Sequence, residues 1–154
     1  MRRIRGRNVI VLVVVLFTQV AASRSSGQTT AASDDAKRFI GTWRLVSDAS
    51  TGLIYYDSLG NMAAQVMPTR ARPKYAATQP TPAEAKEAIT GYLAYFGTYT
   101  VDERARTITH HRTANINPGQ IGDDAVRRYE FAPGDRVILT PTDSGNRITW
   151  ERAR

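Results

Sequence analysis

The sequence predicts an all-β fold, an antiparallel up-and-down barrel of about eight strands with one short helix. Between residues 41 and 152, apolar and polar residues alternate in eight short stretches, which is the pattern of half-buried strands. Short segments of turn-forming residues separate most of these stretches, so we expect consecutive strands to pair as hairpins. A closed barrel is favoured over a two-sheet sandwich, because closure leaves no exposed sheet edge.

The first residues have the pattern of an export signal. A basic start, MRRIRGR, precedes a short apolar run, NVIVLVVVLF, and a group of small residues. We therefore expect a signal peptide over residues 1–22, cleaved after Ala22 or, as second choice, after Ser23, and a protein that is periplasmic or secreted. The apolar run is short for crossing ~30 Å of hydrocarbon, and an uncleaved anchor is the alternative.

Two further segments follow the predicted signal peptide. Residues 23–35 are mostly small and polar, so we expect a disordered linker there. The folded domain is expected over residues 36–154. Its predicted strands lie at residues 41–48, 52–56, 61–67, 93–101, 106–114, 125–131, 135–140 and 146–152.

One helix is expected between the third and fourth strands, in the segment TPAEAKEAITG. Thr81 is a suitable N-cap, Pro82 occupies the first helical position and Glu84 completes a capping box. Gly91 is a suitable C-terminal stop. The preceding segment, residues 68–80, is proline-rich and basic, so we expect an exposed crossing loop.

Charge and cysteine content argue against nucleic-acid binding, disulfides and lipoprotein lipidation. The sequence has 21 basic and 14 acidic residues, a net charge of +7. Four arginines belong to the predicted signal peptide; without them 17 basic residues remain and the net charge is +3. No lysine-rich run or basic stripe with aromatic residues is present, so nucleic acid is not an expected partner. With no cysteine, the chain forms no disulfide and carries no lipoprotein lipid.

Several blocks of the sequence, agreeing in order and spacing, resemble the bacterial lipocalin-like domain family. They are GTWRLV at residues 41–46, GLIYYDSLGNMAAQVM at 52–67, YLAYFGTYTVDERARTITHH at 92–111, and RRYEF, DRVILTP and ITWER between 127 and 152. The resemblance implies a lipocalin-type barrel. It also implies that Trp43, in the G-x-W motif, closes one end of the barrel and that Arg152, in the last strand, covers its ring. The function of the family is largely unassigned, and the Thr-Asp-Tyr motif of lipocalins proper is missing.

His110 and His111 are the only histidines of the sequence, and they are adjacent. On a strand, adjacent side chains point to opposite faces, so these two residues cannot bind one metal ion together. His111 shares its face with threonines, whereas His110 shares its face with Ile108 and Arg112; we therefore expect His110 to face the lumen. Without cysteine, and with most carboxylates in turns, neither a metal site nor a cofactor is expected.

Other polar and aromatic residues are candidates for the barrel wall. Either Arg127 or Arg128 must point inward and needs an anionic partner, which is Glu130 in an internal salt bridge or a bound carboxylate. The predicted ligand-binding residues are His110, Gln65, Arg128, Tyr129, Tyr95 and Tyr99.

The function expected from these residues is binding of a small, mainly apolar or amphipathic ligand in the barrel, with no membrane as partner after signal cleavage. One alternative is a cavity enzyme of isomerase or cyclase type, with His110 or Tyr129 as acid or base. The other is a barrel filled by side chains that acts as an interaction module. Motifs for a nucleophilic serine, a phosphate-binding loop and a zinc protease are missing.

Overall fold

The computed structural model describes residues 34–154, so the predicted signal peptide and residues 23–33 of the predicted linker lie outside the described residues. Within them, two α-helices and a 3₁₀ turn accompany eight strands. In chain order the elements are α1 (Asp34–Phe39), β1 (Gly41–Leu45), β2 (Ser50–Tyr56), β3 (Asn61–Pro68), α2 (Pro82–Ile89), β4 (Leu93–Asp102), β5 (Thr107–Asn115), the 3₁₀ turn (Pro118–Gln120), β6 (Asp124–Ala132), β7 (Arg136–Pro141) and β8 (Ile148–Arg152).

The eight strands form a closed antiparallel barrel in which each strand pairs with the next one along the chain. The last strand, β8, closes the barrel by pairing with β1, and this pairing places Arg152 opposite Trp43. The predicted fold class is confirmed, and every predicted strand lies within three residues of its observed bounds.

Helix α1 is an addition to the predicted elements, and it begins two residues before the expected start of the domain. A helix of six residues is too short to be stable alone. Phe39, its last residue, is completely buried, and its ring lies 5.0–5.5 Å from the rings of Tyr56, Tyr129 and Phe131. Burial of this aromatic ring against the barrel therefore stabilises the helix.

Helix α2 begins with the predicted capping box. The backbone N–H of Glu84 donates to the Thr81 hydroxyl, and the Glu84 carboxylate accepts from the Thr81 backbone N–H at 2.8 Å. The helix buries none of its residues. Two arginines of the preceding loop attach it to the loop instead: Arg70 pairs with Glu87, and Arg72 donates to the Ala88 carbonyl.

The hydrophobic core lies inside the barrel, because alternate side chains of each strand point inward. At the end of the barrel that α1 covers, the core is aromatic, and Phe39 contacts Tyr56 and Tyr129 there. The buried members of the core are Phe39, Trp43, Ile54, Tyr56, Met62, Ala64, Tyr95, Tyr99, Ile108, Tyr129, Val137, Leu139 and Trp150.

A β-bulge between β4 and β5 interrupts the regular alternation. Phe96 pairs with Ala114, but the next residue, Gly97, pairs with Arg112, so Thr113 is the extra residue of β5. The two backbones approach so closely that a Cβ atom on Gly97 would lie 1.9 Å from the carbonyl oxygen of His111. The bulge follows the histidine pair along β5, so it leaves the faces of that pair unchanged.

Candidate functional site

One end of the barrel is closed by Trp43, which stands on β1 and packs beneath α1. The indole N–H donates to the Phe39 carbonyl at 2.7 Å, and the guanidinium carbon of Arg152 lies 4.3 Å from the centre of the ring. The Arg152 guanidinium also donates to the carbonyl oxygens of Ile40 and Arg38, at 2.8 and 2.7 Å. This is the arrangement of plug and cover that the family resemblance implies.

The glycine of the G-x-W motif has a steric role at this closed end. Gly41 has a φ of +124°, a conformation that residues with a side chain rarely adopt. A Cβ atom there would also lie 2.8 Å from the Arg152 guanidinium. The glycine therefore gives Arg152 room to lie over Trp43.

Two of the predicted ligand-binding tyrosines anchor this closed end. The Tyr129 hydroxyl donates to the Asp35 carboxylate of α1 at 2.6 Å, and the Tyr99 hydroxyl donates to the Asp57 carbonyl at 2.9 Å. Burial and the Asp35 carboxylate raise the pKa of Tyr129 well above its usual value, so this hydroxyl keeps its proton. Both residues are structural in this position.

The middle of the barrel contains a hydrogen-bonded group of polar side chains around His110. The hydroxyl of Tyr56 lies 2.8 Å from Nε2 of His110, and the hydroxyl of Tyr95 lies 2.8 Å from Nδ1. Arg127 places Nη1 3.2 Å from the same Nδ1 atom and donates to the Ala125 carbonyl at 2.9 Å. His110 is fully buried and faces the lumen, whereas His111 lies on the outer face.

Burial is the largest cause of the shifted pKa values in this polar group. It lowers the pKa of His110 well below its usual value, and the positive charges of Arg127 and Arg112 lower it further. Burial also raises the pKa of Tyr56 and Tyr95. The imidazole is therefore neutral and both phenols keep their protons at neutral pH.

A cavity of about 390 Å³ occupies the open end of the barrel, opposite α1. Its wall is mostly apolar, with Tyr95 and Arg127 as the polar residues nearest to His110. Tyr56 and His110 are not on the wall. The lining residues are Leu45, Val46, Ser47, Ser50, Ile54, Ala64, Val66, Leu93, Tyr95, Arg127, Arg147, Ile148, Thr149 and Trp150.

Arg127 is the inward member of the arginine pair, and Arg128 is exposed on the outer face. The prediction of Arg128 as a ligand-binding residue is therefore wrong, because its side chain lies on the outer face of the barrel. Tyr129 points inward, and residues two positions apart on a strand share a face. Arg127 therefore points inward with Tyr129, and Arg128 points outward. The predicted internal partner of the arginine is also wrong, because Glu130 points outward and forms an ion pair with Arg147 at 3.0 Å.

Gln65 is a second correction to the predicted site. It is exposed on the outer face of β3, where its side chain accepts a hydrogen bond from the Tyr92 hydroxyl at 3.2 Å. The inward residues Ala64 and Val66 flank Gln65, and Met62 continues the same inward face by alternation. Of the six predicted ligand-binding residues, the structure brings only His110 and Tyr95 together near the cavity.

Three residues of this region were not among the predicted ligand-binding residues. Tyr56 forms a hydrogen bond with His110, and Arg127 and Trp150 line the cavity. The indole N–H of Trp150 has no hydrogen-bond partner within the described part of the chain. Alternation from Tyr129 and from Arg152 places Arg127 and Trp150 on inward faces, so the sequence contained the signal for both. No sequence signal pairs Tyr56 with His110.

On the outer wall, His111 links two side chains of neighbouring strands. Its Nδ1 atom lies 2.7 Å from the Asp124 carboxylate, and its Nε2 atom lies 3.0 Å from the Thr100 hydroxyl. This hydroxyl, imidazole and carboxylate lie on an open sheet surface, away from the cavity at the open end of the barrel. They are a cross-strand contact.

A larger groove of about 570 Å³ lies outside the barrel, between residues 72–75 and helix α2. Its walls belong to the exposed loop and to a helix without buried residues, so it is remote from the polar group around His110. Within residues 34–154, no three potential metal ligands lie close enough to hold one ion. In the same range, no helix has the length and apolar character needed to span a membrane.

Comparison with known proteins agrees with the architecture. The profile of one protein family, described as a lipocalin-like domain, matches residues 40–154, which include all eight strands. A search of curated proteins gave no matching sequence. The matched region covers most of the chain and coincides with a closed eight-stranded barrel plugged by Trp43. The chain belongs to the family of lipocalin-like domains.

Proposed function

We propose that this lipocalin-like protein binds a small, mainly apolar molecule in the cavity at the open end of its barrel. The observation that carries the proposal is the cavity itself, about 390 Å³ with a mostly apolar wall. Sites for small molecules are concave, mostly apolar and about 300–1,000 Å³ in volume. A barrel filled by side chains has less support, because about 390 Å³ of open volume remains at this end of the lumen.

The enzyme alternative also has less support from the positions of its proposed acid and base. Both ring nitrogens of His110 lie within hydrogen-bond distance of tyrosine hydroxyls, and His110 does not line the cavity. Tyr129 donates to Asp35 at the closed end. Neither His110 nor Tyr129 lies on the cavity wall. An acid or base must lie within hydrogen-bond distance of the bound molecule, directly or through one water, to transfer a proton to it.

We also propose that the domain acts outside the cytoplasm, on the basis of the basic start and apolar run of the first 22 residues. The experiment is N-terminal sequencing of the protein from a periplasmic or secreted fraction. Ser23 or Arg24 is expected as the first residue. Intact Met1 would contradict cleavage.

The binding proposal can be tested with a matched pair of substitutions on β3. Ala64 is buried on the cavity wall, whereas its neighbour Ala63 faces outward between Tyr55 and Phe96. Ala64→Phe adds a ring to the cavity, and Ala63→Phe adds the same ring to the outer surface. The probe is Nile red, a neutral apolar dye whose emission shifts to the blue on transfer from water.

The wild type and Ala63→Phe are expected to bind the dye with equal dissociation constants, and Ala64→Phe is expected to weaken binding at least tenfold. Thermal melts of all three proteins establish that each one is folded. Equal dye binding by the two variants would place the dye on the outer surface and contradict the proposal.

A further inference from the structure

The hydrogen-bond donors around His110 outnumber the positions that can accept them. The Nδ1 atom lies 2.8 Å from the Tyr95 hydroxyl and 3.2 Å from Nη1 of Arg127. An arginine only donates hydrogen bonds, so Nδ1 acts as the acceptor and the single proton of the neutral ring lies on Nε2. That proton is donated to the hydroxyl of Tyr56 at 2.8 Å.

A nitrogen of a neutral imidazole has one lone pair, and it accepts one good hydrogen bond at a time. Tyr95 and Arg127 compete for this lone pair, so one of the two always has a donor left over. Both residues line the cavity. The surplus donor is therefore available to a molecule bound there.

The guanidinium of Arg127 has further unused donors. Its Nη1 atom is near His110 and the Ala125 carbonyl, whereas Nε and Nη2 have no partner among residues 34–154. None of the described carboxylates pairs with this guanidinium. The other arginine of the cavity wall, Arg147, already pairs with Glu130. A partly buried cation without a counterion is costly, and a bound anion reduces that cost.

The indole of Trp150 also lines the cavity. The Nε1 atom of Trp150 is buried and has no hydrogen-bond partner in the described part of the chain. Because this atom is enclosed by protein, it is not one of the donors offered to a bound molecule.

Resting on the proposed function, we infer that the ligand carries a carboxylate on an apolar body, and that Arg127 and Tyr95 hold this carboxylate on the cavity wall. The fork of N–H groups on an arginine matches the two oxygens of a carboxylate. The apolar remainder of the molecule then lies against the aliphatic part of the wall, such as Ile54, Val66 and Leu93.

The test compares decanoate with decanol by calorimetric titration at neutral pH, because the two molecules share an alkyl chain and differ in the charged end. The wild type is expected to bind decanoate at least tenfold more tightly than decanol. Arg127→Gln is expected to weaken decanoate binding about ten- to a hundredfold, as is typical for loss of a charge-assisted hydrogen bond. It is expected to leave decanol binding unchanged.

Arg128→Gln is the matched control, because it removes the same charge from the adjacent, outward position of β6. It is expected to bind decanoate like the wild type. Tyr95→Phe, which removes only the hydroxyl, is expected to weaken decanoate binding several-fold. Thermal melts identify any variant that is not folded, and the wild-type comparison of the two probes requires no variant.

The outcomes separate the two proposals. Equal affinities for decanoate and decanol, with no effect of Arg127→Gln, would overturn the carboxylate site and leave binding of an apolar molecule standing. Equal losses of decanoate binding in Arg127→Gln and Arg128→Gln would show a general charge effect and also overturn the site. Tighter binding of decyl phosphate than of decanoate would overturn the choice of carboxylate as the head group. Binding of none of these probes would overturn both proposals.

Discussion

The guanidinium of Arg152 lies 4.3 Å from the centre of the Trp43 ring, across the seam where the last strand of the barrel pairs with the first. The indole is buried on its other sides by the aromatic end of the core. A cation–π contact of this kind is worth roughly 0.5–2 kcal/mol. Burial of the ring itself contributes more.

Trp43→Ala is therefore expected to lower the free energy of unfolding by about 3–5 kcal/mol, the usual cost of deleting a large buried aromatic ring. Trp43→Phe keeps much of the apolar area but loses the N–H donated to Phe39, so a smaller loss is expected. Denaturation in urea measures both. An unchanged midpoint for Trp43→Ala would contradict the role of the ring as a plug.

Gly97→Ala is expected to destabilise the barrel by about 1–3 kcal/mol or more, the range of overpacking. The added Cβ atom would meet the backbone of β5, which cannot move aside as a side chain can. Gly119→Ala is the control, because its nearest neighbour is the Asn117 side chain at 3.4 Å. Thermal melting compares the two. Equal, small effects would show that the bulge adjusts without cost.

The pH dependence of stability is expected to report on His110. An unfolded histidine binds a proton below about pH 6.5, whereas burial and the charge of Arg127 hold the pKa of His110 well below that in the folded protein. The unfolded chain then binds more protons, so stability falls as the pH falls. Between pH 7 and pH 5.5 the expected loss is about 1 kcal/mol.

Denaturation in urea at these two pH values measures the loss. His110→Gln is expected to remove this part of the pH dependence, because the titrating ring is no longer present. His111→Gln keeps His110 in place and is the matched control. A wild type with equal stability at both pH values would mean that His110 titrates alike in the folded and unfolded chains.

Two of the residues predicted from sequence as ligand contacts are expected to have no effect on binding. Gln65→Ala changes the outer face, and Tyr129→Phe removes a hydrogen bond to Asp35 at the closed end. Tyr129→Phe is expected to cost about 1 kcal/mol of stability and to leave the dissociation constant for decanoate unchanged. A large loss of decanoate affinity in either variant would relocate the binding site.

The fold was predictable because strand alternation and turn residues are local signals. Each of the eight strands carries its own pattern, and consecutive pairing follows from the turns between them. Helix α1 was missed because six residues are too few to form a stable helix alone, so Asp34–Phe39 depends on burial of Phe39 in the barrel. Such tertiary contacts have no local pattern.

The site was predictable only as far as the faces of single strands. Alternation placed His110 and His111 on opposite faces, and their neighbours on the strand favoured His110 for the lumen. The same rule applied to β6 excludes Arg128 once Tyr129 points inward. The position of a residue along the barrel axis depends on how neighbouring strands are staggered, and the sequence of one strand does not determine that stagger. For that reason the sequence could not separate Tyr129, at the closed end, from Tyr95, beside the cavity.

The seam between β1 and β8 also affects how the barrel folds. The other seven pairings join consecutive strands, whereas this one joins the two ends of the domain. Contacts between distant parts of a chain carry a larger entropic cost of loop closure and tend to form late. Interactions that form after the transition state mainly slow unfolding. We therefore expect the contact between Trp43 and Arg152 to govern the lifetime of the folded barrel more than the speed of its formation.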